Sequence, residues 1–525
     1  MNWGYLGLLY TSFYMCRYNF SIANKAISDQ YHFTYSQMSA ILTGWALAYA
    51  FGQIINGLIT DRIGGKKAML IGAVGTIVMN VLFGAASVWG ILGLFIAIRS
   101  MDGYVQSFGA PGMTKIKTAW FVKTERGGFA GIFGFMINLG RLGIFTFGPA
   151  LLAGFTLFGM FHVAPLHWKW LFWGPSIVIA IVAVAMSLGV KETPEENGYL
   201  PVEDYAGRPP NDGWFVPSIL IAIAMIAGTV YVGSLYHEGR ISPMDLGVIV
   251  VGFIVMIFIV LHLWAWLHPP PPLEVLASPN IPPNTPAATV VEPLGTPGPA
   301  GYVSAITNPE AYLERETRAD IFTTLTTILR NPAIWIVAAA YACTGAVRQP
   351  VDQWFPRYMT EVYHTNMESS QFQFLAFLIP LVASAGSLLS GYVSDKMFAG
   401  ARAPVAATLY ILETMIVCGA SFSHTANQAV VFFVLISFTV NSTHSILGTA
   451  AAMDIGGRKM TGFASGLIDS FQYFGSSIGL WILGHLLDYK PWGWRAYFPY
   501  MIPFGLIGFT LMVLGRKVIA RSSQK

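Results

Sequence analysis

The chain has 525 residues, of which 54% are hydrophobic and only 11% are charged, and its net charge is +4. A soluble domain usually carries about 25% charged residues, so this composition excludes an ordinary water-soluble protein and indicates a bilayer as the solvent. The small net charge gives no reason to expect nucleic acid as a partner. Cys16, Cys343 and Cys418 lie far apart and match neither a disulfide framework nor a zinc-binding spacing.

Membrane spans are predicted from mostly apolar stretches of about 20 residues, the length that crosses the hydrocarbon. Six are predicted near residues 3–27, 38–60, 68–89, 91–114, 127–158 and 168–190. Six more are predicted near residues 332–358, 372–394, 403–422, 427–450, 460–486 and 496–515. The fold class is therefore an all-α polytopic membrane protein, and we expect the first stretch to remain as an anchor.

The region between the two sets departs from a plain arrangement of six and six. Residues 214–235 and 244–266 are also long and nearly uncharged, so they predict an extra transmembrane hairpin and fourteen spans. The following segment is rich in Pro, Ala, Thr and Gly and predicts an extended or disordered cytoplasmic linker. The expected domains are a first bundle at 1–205, the hairpin at 206–267, the linker at 268–317 and a second bundle at 318–525.

Topology is predicted from the loops that carry lysine and arginine, because cytoplasmic loops are enriched in both. These residues are Lys66, Lys67, Lys115, Lys117, Lys123, Arg126, Arg458, Lys459, Arg516, Lys517, Arg521 and Lys525. The alternation of the predicted spans puts all of them on one side of the membrane. We therefore expect a multi-pass protein of the cell's inner (plasma) membrane with both termini in the cytoplasm.

An internal repeat relates the two halves. Arg17 and Arg348 lie in the first span of each half, and an acidic-basic pair follows them after 44 and 47 positions. A Gly-Phe-Ala triplet follows after 111 and 114 positions. Three landmarks in near register predict parallel repeats about an axis along the membrane normal, with the substrate site between the halves near the midplane.

The acidic-basic pairs belong to glycine-containing loops, Asp61 and Arg62 in the first half and Asp395 and Lys396 in the second. Glycine permits a tight turn, and the carboxylate can cap a helix N-terminus or pair with a basic group. These four residues are predicted to form conformational latches, made in one access state and broken in the other. The alternative is a plain cytoplasmic turn.

Arg17 and Arg348 are the most informative residues because each interrupts an apolar span. An arginine there costs roughly 3 kcal/mol on insertion scales, so its default meaning is functional. The alternatives are snorkelling to the interface or a structural ion pair. Two arginines at equivalent places in two repeats predict a clamp for a doubly charged phosphate through bidentate hydrogen bonds.

Other polar residues inside the predicted spans have both a structural and a functional interpretation. Arg99 and Asp102 share a helix face and are predicted to pair, with Arg141 able to join them. Asp352 lies four residues after Arg348 and is its predicted resting counter-ion. Asp469 and His444 allow a proton-coupled mechanism. The simpler interpretation is that both residues only make hydrogen bonds within the helix bundle.

Six segments resemble the organophosphate:phosphate antiporter family of the major facilitator superfamily. They are residues 14–20, 103–111, 120–128, 191–205, 348–358 and 462–475. That family includes bacterial transporters of glycerol-3-phosphate, hexose phosphate and phosphoglycerate. The resemblance covers both halves and skips residues 211–315. It implies the major facilitator fold of two pseudo-symmetric six-helix bundles, here with the extra central hairpin.

The resemblance also implies the substrate-binding residues. The family's phosphate-binding arginines correspond to Arg17 and Arg348, and a family tyrosine corresponds to Tyr14. Lys169 is interpreted as taking the place of a substrate-site histidine of the glycerol-3-phosphate transporter. The alternative is that Lys169 lies at the membrane interface among aromatic residues. Three family positions differ here and leave the organic part of the substrate open. They are Gln53 in place of a helix 2 lysine, Asn441 in place of a tyrosine, and Ser442-Thr443, followed by His444, in place of a Gly-Pro pair.

These observations predict a secondary transporter that exchanges an organophosphate or related anionic metabolite, most simply against inorganic phosphate. One alternative is a proton-coupled organic-anion transporter, and another is a transporter-like membrane sensor of an external phosphorylated metabolite. No nucleophile-base set, metal-ligand cluster or phosphate-cradling glycine loop indicates an enzyme, a cofactor or a metal. We expect a monomer in the lipid bilayer that binds a small anionic substrate and inorganic phosphate. A partner protein is expected only if the protein is a sensor.

Overall fold

The computed structural model of the chain describes residues 2–121, 126–157, 161–194, 196, 326, 329–367, 369–397, 402–451 and 461–523. The predicted hairpin and the Pro-rich linker lie outside the described residues. The domain boundaries at 205, 267 and 317 lie there too, so the fourteen-span organisation stays a prediction.

The first half is built from helices that follow one another with short connections. They are α1 (Asn2–Tyr31), α2 (Tyr35–Ile63), α3 (Gly65–Ala85), α4 (Leu92–Gln106), α5 (Gly109–Trp120), α6 (Arg126–Ala153) and α7 (Trp170–Gly189). Between α6 and α7 a small antiparallel pair, β1 (Phe155–Leu157) and β2 (Phe161–Val163), places Phe155 opposite Val163. Thr34 and Gln37 form a capping box that starts α2.

The helices of the second half follow the same order. They are α8 (Pro332–Val362), α9 (Ser370–Met397), α10 (Arg402–Ala420), α11 (Ala426–His444), α12 (Thr461–Asp488) and α13 (Ile502–Ser523). A π-helical segment, Ser445–Ala451, continues directly from α11. π-Helical segments inside longer helices are frequent at functional sites, and this one begins immediately after His444.

Each of the twelve predicted spans outside the hairpin coincides with helix, α4 and α5 together forming the fourth. Within the described residues, seven helices are long and apolar enough to cross a membrane by length and composition alone. The helices that fall short include α1, α8 and α12, which carry buried polar residues such as Arg17, Arg348 and Gln472. Their lower hydropathy follows from their place at the polar interface between the halves.

Two prolines shape the helices near that interface. Pro111 lacks the N–H that would bond to the carbonyl of Ser107, and the fourth span breaks there into α4 and α5. Pro350 in α8 likewise leaves the carbonyl of Ala346 without its helical donor, and the Tyr500 hydroxyl donates to that carbonyl at 3.1 Å. The carbonyl that Pro350 leaves without a helical donor is therefore hydrogen-bonded within an apolar environment.

The two halves meet mainly along four helix pairs, α1 with α8, α2 with α12, α5 with α12 and α6 with α9. Small residues allow the closest approaches: a Cβ on Gly466 would overlap the carbonyl of Gln53, and a Cβ on Gly484 would overlap Ser39. Within the second half, Gly345 and Gly475 bring α8 and α12 together in the same way. This packing places the central residues of α1, α8 and α12 around a common point.

Candidate functional site

Arg17 lies at the interface between the halves and is 1% exposed. Its Nε donates to Gln106 Oε1 at 3.3 Å, and its Nη1 donates to the Tyr473 hydroxyl of the opposite half at 2.6 Å. The guanidinium carbon lies 4.4 Å from the Tyr14 ring centroid and 4.6 Å from that of Tyr49. Nη2 has no partner among the described residues. An arginine that is enclosed by aromatic rings and has one N–H group without a hydrogen-bond partner is suited to bind an anion.

Arg99 holds the backbone of α1 in place at Arg17. Its Nη1 donates to the carbonyl of Cys16 at 3.2 Å, and its Nη2 donates to the carbonyl of Arg17 at 2.7 Å. The predicted ion pair between Arg99 and Asp102 is confirmed at 2.8 Å, and both side chains are almost fully buried. Gln106 donates to the same Asp102 carboxylate and accepts from Arg17. The buried pair therefore fixes both the backbone and one partner of Arg17.

Arg348 occupies the equivalent place in the second half and is 2% exposed. Its Nε donates to Asn441 Oδ1 at 3.3 Å. In the amide orientation that satisfies both of its neighbours, Gln472 accepts from Arg348 Nη1 at 3.1 Å and donates to Asp469 at 3.2 Å. Gln53 of the first half donates to the same carboxylate at 2.8 Å. A chain of hydrogen bonds therefore links Arg348 to the opposite half.

Arg141 does not join Arg99 and Asp102, and Asp352 does not pair with Arg348. Instead, Arg141 of α6 forms a buried ion pair with Asp352 of α8, across the two halves. The Tyr18 hydroxyl donates to the other carboxylate oxygen of Asp352 at 3.0 Å. Helical side chains lean toward the helix N-terminus, so the long side chain of Arg348 extends away from Asp352, one turn later. This corrects the predicted counter-ion.

Tyr341 joins His444 to the arginine site. The Tyr341 hydroxyl makes a hydrogen bond with His444 Nδ1, and the two rings stack at 5.5 Å. The same hydroxyl lies 3.5 Å from Asp469 Oδ1. His444 and Asp469 are therefore connected through one tyrosine.

A cavity lies between the halves, next to the residues that contact Arg17. Its polar wall in the first half is formed by Tyr10, Tyr14 and Lys117. Its polar wall in the second half is formed by Tyr341, His444, Asp469 and Tyr473. Two of these residues, Tyr14 and Tyr473, also contact Arg17 directly. The cavity is therefore separated from Arg17 only by residues that contact both.

The end of the bundle where α1 ends and α2 begins is sealed by bonds between the halves. Asp488 of α12 accepts the backbone N–H groups of Tyr35 and Ser36 at 3.0 and 2.8 Å, at the N-terminus of α2. The Tyr35 hydroxyl also donates to Glu361 of α8. The predicted topology makes this the outer end, and the cavity residue Lys117 lies toward the opposite end.

The first predicted latch makes a contact inside the first half. Lys115 Nζ lies 3.3 Å from Asp61 Oδ1. Gly64, with φ +93°, turns the chain so that the N–H of Gly65 donates to Glu192 Oε1 at 2.6 Å. Burial raises the pKa of the Glu192 carboxyl, and the N–H of Gly65 acts in the opposite direction by donating to it.

The remaining latch residues are Arg62, Asp395 and Lys396. Arg62 ends α2 with an exposed side chain. Asp395 and Lys396 belong to α9, but their side chains lie outside the described residues. The role of all four residues as latches stays a prediction.

Lys169 lies away from the site that it was predicted to join. Its Nζ lies 5.1 Å from the Trp173 ring, and the neighbouring Trp168 packs on Tyr31 at the end of α1. Tyr31 follows Arg17 by fourteen residues, about 21 Å along a helix. The structure therefore favours an interfacial lysine among aromatic residues over a substrate ligand.

Sequence reasoning missed four aromatic and amide residues of the site. They are Tyr49, Tyr341, Gln472 and Tyr473. Gln472 and Tyr473 lie inside a segment that carried the family resemblance, and Gln472 shares a helix face with Asp469. That spacing could have suggested a polar cluster, but its partner Arg348 is distant in sequence.

Comparisons with known proteins agree with this geometry. The family model described as "Major Facilitator Superfamily" matches residues 6–241 and 218–480. A membrane sensor protein, UhpC of Escherichia coli, is 24% identical over 493 residues, covering 93% of this chain and 85% of its own. The glycerol-3-phosphate transporter of Bacillus subtilis is 22% identical, covering 96% of this chain and 89% of its own.

Two further similarities extend these matches. A protein of Chlamydia pneumoniae named "Probable hexose phosphate transport protein" is 22% identical, covering 96% of this chain and 88% of its own. Among solved structures, the proton:xylose symporter XylE bound to 6-bromo-6-deoxy-D-glucose is similar with a TM-score of 0.61. The alignment covers 98% of this chain and 95% of that one at 11% identity, so it shows the fold alone.

Proposed function

The chain belongs to the major facilitator superfamily, and on that premise we propose that it exchanges an organophosphate or related anionic metabolite for inorganic phosphate by alternating access. It is related to glycerol-3-phosphate and sugar-phosphate transporters and is not an enzyme. The names of those relatives support the substrate class. Arg17 and Arg348 are the proposed phosphate ligands, with Tyr14, Gln53, Asn441 and His444 around them.

One observation carries the proposal: the five buried arginines of the described core fall into two kinds. Arg99, Arg141 and Arg357 each form an ion pair with a carboxylate. Among the described residues, no carboxylate oxygen lies within 4 Å of Arg17 or Arg348, whose hydrogen-bond partners are neutral amides and a phenol. The first kind is structural. The second kind leaves two positive charges available to an anion.

The charge of the site fits a phosphate anion. Arg17 contacts Tyr14 and Tyr473, which line the cavity, and Arg348 is linked through Gln472 to Asp469, which lines it too. The two arginines supply two positive charges, and Asp469 contributes one negative charge. The net charge of one falls within the range of about one to two negative charges that a phosphate or a phosphate monoester carries near neutral pH.

Exchange follows from the cost of closing an empty site. An occluded state shuts out water, and each unpaired arginine then loses several kcal/mol of hydration. If the net penalty is about 4 kcal/mol, the empty carrier crosses roughly a thousand times less often than a carrier without that penalty. A bound phosphate removes most of the penalty, whichever phosphate it is, so the loaded carrier crosses in both directions.

The test uses purified protein in proteoliposomes that contain radiolabelled phosphate. We expect fast exchange when phosphate is outside and little net efflux into phosphate-free buffer. Arg17→Lys and Arg348→Lys should each lose most of the exchange, because lysine lacks the bidentate fork. Arg495→Gln, which changes an exposed arginine, is the control and should exchange normally. Equal rates of net efflux and exchange, or normal exchange in Arg17→Ala protein, would refute the proposal.

Two alternatives give different results in the same vesicles. The resemblance to a membrane sensor over 93% of the chain favours a protein that binds the phosphate without exchanging it. The connection of Asp469, Tyr341 and His444 at the cavity favours proton-coupled uptake, in which transport acidifies the vesicle interior. A pH dye inside the vesicles and a binding assay with the same protein separate the three functions.

A further inference from the structure

Glu413 is a buried carboxyl group that neither the proposed arginine site nor the cavity includes. It lies in α10, within the predicted span at 403–422, and is 1% exposed. Among the described residues, no lysine or arginine nitrogen lies within 4 Å of its carboxyl oxygens, whereas Asp102 and Asp352 each pair with an arginine. Its Oε2 is fully enclosed and has no hydrogen-bond partner among those residues. Glu413 therefore lacks the partner that a buried carboxylate requires.

The surroundings of Glu413 belong to the second half. Cys343 of α8 and Tyr410, one turn earlier in α10, lie close enough for the charge of Glu413 to act on them. The Tyr410 hydroxyl donates to the carbonyl of Ala340 in α8 at 2.5 Å, and Gly508 of α13 packs on the Tyr410 ring. Among the described residues of α11 and α13, no charged group acts on Glu413. The carboxyl is therefore enclosed by helices of one half, without a counter-charge.

An unpaired carboxylate is costly in such a place. Moving an isolated ionised carboxyl out of water costs so much free energy that the group binds a proton and becomes neutral instead. A neutral carboxylic acid has only ordinary polar atoms to satisfy, and its O–H group can donate a hydrogen bond. Asp469 is in a different situation, because it accepts hydrogen bonds from Gln53 and Gln472.

We propose that Glu413 is a proton-binding site that holds its proton at neutral pH in both access states. In alternating access, the halves move against each other largely as rigid bodies. The groups near Glu413 belong to one half, so this motion leaves its surroundings unchanged. Asp469 and His444 instead line the cavity between the halves, where the surroundings change. The proton on Glu413 therefore stabilises the second half and does not travel with the substrate.

Infrared spectroscopy of the purified protein in nanodiscs detects this proton directly, because protonated and ionised carboxyl groups absorb at different frequencies. At neutral pH, Glu413→Gln should remove the C=O band of one protonated carboxyl and no carboxylate band. Asp29→Asn, which removes an exposed carboxylate paired with Lys25, is the control and should remove a carboxylate band only. Loss of a carboxylate band in Glu413→Gln protein would overturn the proposal.

The same proton predicts a pH dependence of stability. Glu413 is neutral in the folded protein and ionises when unfolding exposes it to water, so the stability falls as the pH rises above the range in which a carboxyl in water titrates. Relative to Glu413→Gln protein, the folding equilibrium constant of the wild-type protein should fall by up to about tenfold per pH unit there. Parallel pH dependences in the two proteins would contradict the proposal.

Phosphate exchange in proteoliposomes separates a resident proton from a transported one. Glu413→Gln protein should fold and exchange phosphate at the wild-type rate, because an amide is neutral and similar in shape to a carboxylic acid. Failure of this variant to fold would overturn the proposal, since it would show that a carboxylate is needed. Loss of exchange in the folded variant would also overturn it and indicate proton coupling at Glu413. If the wild-type protein exchanges no phosphate, the proposed function fails, and the infrared and stability measurements still decide on the proton.

Discussion

The buried ion pair between Arg141 and Asp352 makes a quantitative prediction about the balance of access states. It joins α6 of the first half to α8 of the second, and both side chains are almost fully buried. When the sealed end opens, the halves separate there and water reaches both charges. The pair therefore stabilises the state in which this end is closed, relative to the state in which it is open.

Asp352→Asn removes one partner and leaves Arg141 buried with an uncompensated charge. Such a loss typically costs about 3–5 kcal/mol. Asn138 and the new amide still accept hydrogen bonds from Arg141, so we take the lower value, about 3 kcal/mol. That free energy corresponds to a shift of about a hundredfold toward the open state. A protein closed in about 99 of 100 molecules would become nearly equally open and closed.

The assay is a distance measurement by pulsed electron paramagnetic resonance, with spin labels on Trp89→Cys and Lys490→Cys. Both positions are exposed and lie near the sealed end in opposite halves. Asp352→Asn should add a population at longer distance, and the double variant Asp352→Asn, Arg141→Gln should recover most of the closed population. Asp29→Asn is the control, since its partner Lys25 lies in the same helix. Identical distance distributions in wild-type and Asp352→Asn protein would refute the reasoning.

Three more predictions concern the scaffold and the topology. Asp102→Asn should lower the free energy of unfolding by about 3–5 kcal/mol, because Arg99 loses its buried partner. The change should be seen as a lower melting temperature in detergent, and an unchanged melting temperature would contradict the structural role of this ion pair. Gly475→Val should lower the melting temperature strongly, because a Cβ there overlaps the carbonyl of Ala342, whereas Gly174→Ala, a position with open space, serves as the control. A cysteine at Glu238 should be labelled from outside the cell, and labelling from the cytoplasm alone would eliminate the predicted hairpin.

The sequence alone was enough to predict the helices and the two arginines of the proposed substrate site. Long apolar stretches can satisfy their backbone in a membrane only as helices or closed barrels, so the spans follow from length and hydropathy. Arg17 and Arg348 stand out because charge is costly in such a stretch, and their matching places in the repeat predicted a common site. The structure places both arginines, buried, at the interface between the halves.

Only the tertiary structure shows which of the buried arginines form ion pairs with a carboxylate. The sequence shows Arg99, Arg141 and Arg348 as three similar intramembrane arginines, with Asp102 and Asp352 nearby in the chain. Spacing along one helix correctly paired Arg99 with Asp102, because both side chains share a face. It failed for Asp352, whose partner Arg141 comes from a helix 211 residues away in sequence.

The same limit applies to the residues that surround the proposed anion site. Tyr473 and Gln472 reach Arg17 and Arg348 because glycines let α12 approach its neighbours closely. Lys169 carries a charge in a plausible stretch of sequence but lies among aromatic residues far along the bundle. The local sequence determines where each helix forms and which side chains it carries. The packing of the helices determines which side chains that are distant in the sequence come into contact. The assignment of free and paired charges therefore belongs to the folded structure.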